Sequence, residues 1–269
     1  MIKFAKAHAY GNDFLYAARE DVSSTTDPSA LAVEMCDRHT GVGADGLIVY
    51  MSRGEFTQMM LWNADGSPSE ISGNGIRGLA ALLLDSDSTI DRDISISTGA
   101  GMKHLRRVSR TGSRQLFRSA MGRPFGLERT SIAIDGESIE TIVLNVGNPQ
   151  CIVLGPLPDD TRFNRLGPLI EHHSMFPQRT NVGFVHVEAP DRLRIRIWER
   201  GAGPTQSSGT GSCASLVAAA AFGGAARDAD VVAPGGTQRV EWRDEGVYLT
   251  GWAEVVCRGE WLPQFPRTC

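Results

Sequence analysis

Two short segments of this chain repeat one pattern at an offset of 136 residues (208 − 72). Residues 72–81 read SGNGIRGLAA and residues 208–217 read SGTGSCASLV, so each is a serine, a Gly-x-Gly turn and the start of a helical run. The same offset aligns two further pairs of dipeptides: Gly11-Asn12 with Gly147-Asn148, and Trp62-Asn63 with Trp198-Glu199. These anchors predict a duplicated unit whose halves bring two similar loops toward one cleft.

Short β-branched runs bounded by Gly, Pro, Asp and Asn dominate the rest of the chain and predict many short strands. Helical runs are few, and we place them at residues 29–38, 74–84, 168–173 and 210–222. The prediction is an α+β protein with one main helix closing each repeat, not an alternating parallel βαβ protein. The domain boundary is expected near 115–120, which gives an N-terminal half 1–117 and a C-terminal half 118–269.

Composition and charge exclude several classes of function. A net charge of −4 with mixed signs offers no basic surface to nucleic acid, and we expect the arginine-rich segment 106–114 to be a solvated strand or hairpin. Five cysteines without CxxC spacing argue against a disulfide framework or a structural zinc site. We see no signal peptide and no apolar run of membrane-spanning length, so we expect a cytoplasmic protein that binds no membrane.

The duplicated turns predict anion sites. A glycine turn that opens a helix exposes unpaired backbone N–H groups at the positive end of the helix dipole, which suits a carboxylate. Gly73-x-Gly75-x-x-Gly78 also matches a dinucleotide fingerprint, but the second copy loses the match and a βαβ context is lacking. Glycines that only permit tight turns would not explain the paired serines. Two helix starts facing one carboxylate would suit two-base proton transfer.

A series of short motifs runs along nearly the whole chain: GNDF at 11–14, DRHTGVGADG at 37–46, NADGS at 63–67, GNG at 73–75, GNP at 147–149, RTNVG at 179–183, ERGAG at 199–203 and GTG at 209–211. In this order and spacing, the chain resembles the diaminopimelate epimerase family, which inverts an amino-acid α-carbon with two cysteines and no cofactor. The resemblance implies two pseudo-symmetric halves, each a curved sheet wrapped around a central helix, with the active site between them. It implies that the last strand, at about 252–262, returns to the first half.

The departures from the family pattern fall at the reacting positions. The family's two catalytic cysteines fall at Ser72 and Ser208, its histidine after Gly-Asn-Pro falls at Gln150, and a frequent glutamate falls at Pro204. A thiol has a pKa near 8.5, and a serine hydroxyl lies several units higher. Each pKa unit corresponds to about 1.4 kcal/mol, so serine would abstract an unactivated α-proton at least about a thousandfold more slowly. Ordinary diaminopimelate epimerisation is therefore disfavoured.

The resemblance also assigns the substrate-binding residues. Residues matching Asn12, Asn63, Asn181 and Arg200 bind polar groups of the substrate, and the residue matching Glu199 contacts an amine. We add the helix starts and the Gly-Asn turn, which gives Gly73, Asn74, Asn148, Gln150, Gly209 and Thr210. Local backbone hydrogen bonding is the alternative explanation for asparagines beside glycines. Glu199 is the strongest candidate for a base, with Glu70 as a weaker one.

We therefore expect a cofactor-independent isomerase that moves protons on a small, conjugated amino-acid-like carboxylate, with Ser72, Ser208 and Glu199 as catalytic residues. The chain is similar to double-bond isomerases that act on proline-like intermediates in lincosamide-type antibiotic pathways. The alternatives are an amino-acid epimerase or racemase and a non-catalytic carboxylate binder. A laboratory replacement of both cysteines would not explain Gln150 and Pro204. A homodimer is an open expectation.

Overall fold

The computed structural model describes residues 1–262 of the chain. They form two units: Met1–Arg118 together with the described residues from Trp252 onward, and Ser119–Gly251. The chain therefore leaves the first unit after Arg118 and re-enters it at Trp252. Cys269, the fifth cysteine, and the end of the predicted C-terminal half lie outside the described residues.

Eight strands begin in the first unit, which also contains two α-helices and a 3₁₀ turn at Arg19–Asp21. The strands are β1 (Ile2–Ala9), β2 (Asn12–Ala18), β3 (Gly46–Arg53), β4 (Phe56–Asn63), β5 (Pro68–Ser69), β6 (Arg92–Thr98), β7 (Gly101–Thr111) and β8 (Arg114–Gly122). The helices are α1 (Pro28–Cys36) and α2 (Gly73–Leu83).

The second unit contains the other nine strands and two helices of the described chain. Its strands are β9 (Phe125–Ile134), β10 (Glu137–Asn145), β11 (Pro149–Leu154), β12 (Asn181–Ala189), β13 (Arg192–Glu199), β14 (Gly203–Thr205), β15 (Asp228–Ala233), β16 (Gly236–Arg243) and β17 (Gly246–Trp261), the last of which ends in the first unit. Its helices are α3 (Asp160–Glu171) and α4 (Gly209–Phe222).

Strand pairing repeats between the units and confirms the duplication. In the first unit β1–β2, β3–β4 and β6–β7 are antiparallel, whereas β2–β3 and β4–β6 are parallel. In the second unit β10–β11, β12–β13 and β15–β16 are antiparallel, whereas β11–β12 and β13–β15 are parallel. Each parallel pair is joined through one of the four helices, because parallel neighbours need a long crossover. The fold is α+β, as predicted.

Each unit is built around one buried helix. Helix α4 is apolar or small-sided all round, ten of its residues are buried, and it packs against β10–β13, β15 and β16. A helix that is apolar on every face is stable only inside a core. Residues 74–81 of α2 are likewise buried, among apolar side chains of eight strands. The predicted sheet around a central helix is thus confirmed for each unit. No helix among residues 1–262 has the length and apolarity needed to cross a membrane.

The predicted short helix at residues 168–173 is wrong in its start. Helix α3 begins at Asp160, capped by the Asp159 side chain, and contains Pro168 in its interior. Buried Phe163, Leu166 and Ile170 recur at helical spacing on the face that meets the core. This apolar face outweighs the helix-breaking tendency of a proline that lacks an N–H donor.

The arginine-rich segment 106–114 lies on the predicted pair of strands, but Arg107 is fully buried rather than solvated. Its guanidinium donates to the carbonyl oxygens of Leu84 and Thr89 and to the side chain of Gln115. Burying a charge is unfavourable unless it is hydrogen-bonded, and these acceptors satisfy that condition. Arg107 therefore ties the loop after α2 to β7.

Gly78 permits α2 to lie against β2. A Cβ atom at this position would lie 2.1 Å from Tyr16 Oη and 2.9 Å from Tyr16 Cζ. We expect Gly78→Ala to lower the free energy of unfolding by about 1–3 kcal/mol through overpacking, despite the roughly 1 kcal/mol by which alanine favours a helix. Urea unfolding measures this change. Adding Tyr16→Phe removes the closest clashing atom, so the double variant should lose less than the sum of the two single losses.

Candidate functional site

Ser72 and Ser208 are the N-cap residues of α2 and α4, with almost the same geometry. Their backbone angles are φ −133°, ψ 120° and φ −132°, ψ 122°. Ser72 Oγ accepts from the backbone N–H of Gly75 at 3.0 Å, and Ser208 Oγ accepts from that of Gly211 at 3.2 Å. A hydroxyl that accepts such a bond still carries a proton of its own. Each serine thus places a protic group at the positive end of a buried helix.

The glycines of the repeated turn have different reasons to be glycine. A Cβ at Gly75 would lie 2.8 Å from Ile48 Cδ1, and one at Gly211 would lie 3.0 Å from Ile197 Cδ1. The third helical residue therefore has to be small for the capping serine to fit beside the sheet. At Gly73, by contrast, a Cβ would meet no atom within 4 Å. Open space thus lies beside the start of α2, where a ligand carboxylate would approach the backbone N–H groups.

In the first unit, hydrogen bonds link Asn12 and Asn74. Asn74 Nδ2 donates to Asn12 Oδ1 at 3.1 Å, and Asn12 Nδ2 donates to Asp45 Oδ2 at 2.6 Å. Arg38 holds Asp45 in turn, with 2.8 Å between Nη2 and Oδ1. The asparagine that follows the Gly11 turn is therefore fixed beside the first turn of α2.

Two other predicted residues of the first unit, Asn63 and Glu70, are exposed to solvent. Asn63 is exposed at the end of β4, and its Nδ2 donates to Ser67 Oγ at 2.9 Å. Glu70 is exposed in the segment between β5 and α2. The Asn63 side chain thus has a local partner on the turn after β4, and this partner is a side chain rather than the backbone.

In the second unit, Gln150 connects the Gly-Asn turn to the start of α4. Its Nε2 donates to Asn148 Oδ1 at 2.7 Å and to Thr210 Oγ1 at 3.3 Å, and the side chain is almost completely buried. Next to it, Asn181 Nδ2 donates to the Pro149 carbonyl at 3.0 Å. Asn181 Oδ1 accepts from the Arg200 N–H at 3.0 Å. Five of the predicted residues thus form two neighbouring polar groups: Gln150 with Asn148 and Thr210, and Asn181 with the backbone of Arg200.

Glu199 ends β13 and is only partly accessible to solvent. Desolvation raises the pKa of its carboxyl group, and a hydrogen bond with the Thr205 side chain opposes that rise. A carboxyl with a raised pKa exchanges protons closer to neutral pH, as a general acid or base requires. At the equivalent place in the first unit stands Asn63, an amide that does not titrate. The two units are therefore chemically unequal despite their shared fold.

The described cysteines offer no substitute for a catalytic thiol at the helix starts. Cys36, Cys151 and Cys213 are buried, and Cys257 is exposed on β17. Burial raises the pKa of the Cys36 and Cys151 thiols to about 12, whereas reactive thiols have lowered pKa values. Within the described part of the chain, His, Cys, Asp and Glu side chains form no group of three or more placed to hold a metal ion.

Two residues with structural contacts to this site were missed from the sequence. Thr205 bonds to the Glu199 carboxyl, and its Oγ1 lies 3.3 Å from the Ser207 carbonyl oxygen. Glu171, at the end of α3, contacts residues on both sides of Glu199 and Arg200. No local pattern marks Glu171, because its partners lie 27 and 30 residues further along the chain.

Glu199→Gln should make the protein more stable, by an amount that grows with pH. Because the folded-state pKa of Glu199 is raised, the folded protein binds more protons than the unfolded chain between the two pKa values. The free energy of unfolding of the wild type therefore falls as pH rises from the ordinary glutamate range through the folded pKa. Urea unfolding of wild type and variant at about pH 4, 6 and 8 measures this difference.

Glu188→Gln is the matched control for this stability measurement, because hydrogen bonding to Arg194 lowers the pKa of the exposed Glu188. Its removal should leave stability unchanged or slightly lower at high pH, which is the opposite sign. A stability difference for Glu199→Gln that shrinks as pH rises would contradict the raised pKa.

Known proteins match the chain at the level of sequence and of fold. The profile of the family described as diaminopimelate epimerase matches residues 4–125 and 142–256. A diaminopimelate epimerase from Desulforudis audaxviator (strain MP104C) is 39% identical over 278 residues, which covers 97% of this chain and 99% of that protein.

Solved structures show the same fold at low identity. A hydroxyproline epimerase from Agrobacterium vitis has a TM-score of 0.70 at 15% identity, over 96% of this chain and 90% of its own. A methylitaconate-delta-isomerase has a TM-score of 0.62 at 12% identity, over 96% of this chain and 94% of its own. At such identities the likeness establishes the fold alone. The family profile and the full-length relative carry the assignment further: this chain belongs to the diaminopimelate epimerase family and is an isomerase-type enzyme.

Proposed function

We propose that this chain is a cofactor-independent isomerase that shifts a double bond in a small, conjugated amino-acid-like carboxylate. The observation that carries the proposal is the chemistry of the two helix starts. Hydroxyl groups of Ser72 and Ser208 cap α2 and α4 at the positions that the family resemblance assigns to cysteines. The titratable carboxyl of the site, Glu199, has a raised pKa.

The high pKa of a serine hydroxyl limits its use as a base that abstracts a proton from carbon. A helix N-terminus stabilises a neighbouring anion by about 0.3–2 kcal/mol, and one pKa unit is about 1.4 kcal/mol. The helix therefore lowers the pKa of a capping hydroxyl by little more than one unit, which leaves Ser72 and Ser208 protonated at neutral pH. A C–H group made acidic by conjugation with an imine, enamine or alkene needs a weaker base, and a carboxylate suffices for it.

Each group has a distinct role in this scheme. The backbone N–H groups at the start of a helix, at Gly73-Asn74 or at Gly209-Thr210, suit the substrate carboxylate as donors of charge-assisted hydrogen bonds. Glu199 takes a proton from one carbon of the conjugated system and returns a proton to another. The serine hydroxyls donate hydrogen bonds and relay protons. The linked amides, which include Asn12 and Asn181, orient the polar groups of the substrate.

The comparisons support the proposal in part and favour one alternative. A protein that shares this fold carries the name methylitaconate-delta-isomerase, so double-bond chemistry has a precedent on the scaffold. The 39% identity to a diaminopimelate epimerase over nearly the whole chain favours epimerisation of diaminopimelate as the second candidate. The resemblance to double-bond isomerases of lincosamide-type pathways leads us to place the proposed reaction in specialised metabolism, of which antibiotic biosynthesis is one form.

Turnover of two substrates distinguishes the two candidates. The purified protein is incubated with a conjugated pyrroline-type amino acid, followed by ultraviolet absorbance, and separately with L,L-diaminopimelate, followed by chiral chromatography. We expect an absorbance change that reports a moved double bond and no meso-diaminopimelate above the rate of a heat-denatured control. Formation of meso-diaminopimelate at a typical enzymatic rate of about 1 s⁻¹ or more would overturn the proposal in favour of the epimerase.

A further inference from the structure

Glu171, the last residue of α3, is a carboxylate with 3% of its surface exposed. Its Oε2 accepts from Trp198 Nε1 at 2.8 Å, and its Oε1 accepts from the Gly201 backbone N–H at 2.9 Å. The nearest basic side chains are Arg179, with Nη1 3.8 Å from Oε1, and His172, with Nδ1 3.9 Å from Oε2. The two short bonds thus go to neutral donors on one neighbouring segment.

These two donors stand on either side of Glu199 and Arg200. Trp198 comes directly before Glu199, and Gly201 comes directly after Arg200. A third bond holds the middle of the segment, because Asn181 Oδ1 accepts from the Arg200 N–H at 3.0 Å. The carboxylate of Glu171 therefore spans the segment that presents the proposed base.

Helix α3 is also packed closely enough to make this span rigid. A Cβ at Gly167 would lie 2.5 Å from Cδ2 of the Trp198 ring, so the glycine allows the helix backbone to rest on the indole. The Phe163 ring meets the same indole edge-on, with 5.9 Å between the ring centroids. The indole whose N–H donates to Glu171 is thus held by packing against two residues of α3.

Packing alone does not explain a carboxylate at this place. Burying an ionised carboxyl is unfavourable unless donors compensate for the lost water. An apolar side chain would hold α3 against β13 without that penalty, but it would leave the Gly201 and Trp198 N–H groups without these acceptors. Besides the longer contacts with Arg179 and His172, a carboxylate here acts as a bidentate acceptor, which fixes two donors relative to each other.

We propose that Glu171 is a positioning residue, which holds Trp198 and Gly201 so that Glu199 and Arg200 between them keep their orientation toward the substrate. The inference rests on the proposed function for the role of Glu199. Helix α3 would then contribute to the site through Glu171, although none of its residues belongs to the repeated turns. Mutation of residues that hydrogen-bond to metal ligands typically lowers metal affinity or activity about 10–100-fold, and we expect an effect of the same order for a residue that orients a catalytic carboxylate.

Glu171→Asp tests the inference, because it keeps the charge and shortens the reach, so that one carboxylate no longer spans both donors. In protein labelled with ¹⁵N-glycine and ¹³C-glutamate, the Gly201 amide signal and the pH titration of the Glu199 carboxyl carbon are followed by NMR. The spectrum of Glu199→Gln identifies the latter signal. We expect the Gly201 amide to move upfield and the Glu199 pKa to fall by about half a unit or more, because a loosened turn admits water.

Two controls separate positioning from general damage. Glu188→Asp makes the same chemical change at an exposed ion pair of the same unit with Arg192 and Arg194, and it should leave both signals unchanged. Trp198→Phe keeps Glu171 and removes one donor, so it provides a second variant if Glu171→Asp fails to fold. It should lower the Glu199 pKa in the same direction.

The two NMR signals test the inference without any substrate. A Gly201 signal that moves while the Glu199 pKa stays within about 0.2 units of wild type would overturn it, and so would a Gly201 signal that does not move. Where the conjugated substrate is turned over, we expect kcat to fall about 10–100-fold in Glu171→Asp with a smaller change in KM. A wild type without turnover would count against the proposed function and leave the NMR test of Glu171 standing.

Discussion

Replacing Glu199 with glutamine is expected to lower kcat for the conjugated substrate about 1,000-fold while the protein stays folded. General acid–base catalysis by a positioned side chain contributes about 10²–10⁴-fold, and an amide cannot take up the proton. Glutamine keeps the size of the side chain and one oxygen for the hydrogen bond with Thr205. Initial rates by ultraviolet absorbance measure the loss, and circular dichroism verifies the fold. Glu188→Gln, on the exposed part of β12, should retain wild-type kcat.

A Glu199→Gln variant that keeps more than about a tenth of wild-type kcat would contradict the role of Glu199 as the base. The test then moves to Glu70, which is exposed two residues before Ser72. Glu70→Gln is expected to retain full activity. Loss of activity in Glu70→Gln together with retention in Glu199→Gln would place the base in the first unit.

Ser72→Ala and Ser208→Ala are each expected to lower kcat about 100-fold or more, because each removes a hydroxyl that relays protons. Each also removes an N-cap, which costs about 1 kcal/mol of stability. Asp159→Ala separates the two effects. Asp159 caps α3 by accepting from the Arg162 N–H at 2.8 Å, so its loss should cost similar stability with unchanged kcat. Urea unfolding and initial rates on all three variants measure both quantities.

Full activity in both serine variants would mean that the hydroxyls only cap their helices, and Glu199 would then act without a relay. The double variant Ser72→Cys/Ser208→Cys makes the converse test. We expect it to remain inactive on diaminopimelate, because Gln150, with its bonds to Asn148 and Thr210, stands where the resemblance places a histidine. Robust epimerase activity of the double cysteine variant would overturn that expectation.

The duplicated turns were predictable from sequence because a capping serine, a glycine turn and an apolar run are local signals. The observed helices α2 and α4 begin at Gly73 and Gly209, one residue before the predicted starts. The α+β fold and the central helices followed from the same repeat. The parallel pairs β2–β3 and β11–β12 were not predicted, because pairing between strands separated by a helix is not a local property.

The errors share one physical cause, which is long-range compensation of a locally unfavourable residue. Pro168 indicates a helix boundary by itself, but the buried Phe163, Leu166 and Ile170 carry α3 through it. Arg107 indicates a solvated position, but carbonyl oxygens from a distant loop satisfy it in the core. Sequence patterns do not report such partners, since they depend on which segments meet after folding.

The candidate site also combines residues that local sequence patterns indicate with contacts that only the folded structure shows. The serines of the repeated turns were singled out from sequence, but their role as N-caps was not predicted, and Gln150 and Asn181 were proposed through the family resemblance. The raised pKa of Glu199 depends on its burial, which no residue pattern reports. Glu171 was missed because its two partners, Trp198 and Gly201, reach it only through the packing of α3 on β13. The candidate catalytic residues were therefore named from sequence, whereas the contacts that orient them are visible only in the structure.

Proton NMR in D₂O with a conjugated pyrroline-type amino acid tests the central claim, that this chain moves protons on such a substrate, most directly. We expect deuterium to enter the carbon skeleton as the double bond moves, and we expect Glu199→Gln to slow this entry about 1,000-fold. L,L-diaminopimelate in a parallel sample should keep its α-protons. Deuterium at the α-carbon of diaminopimelate would contradict the account and identify an epimerase that works with serines. The absence of exchange into either compound would also contradict it and favour a carboxylate-binding protein without catalysis.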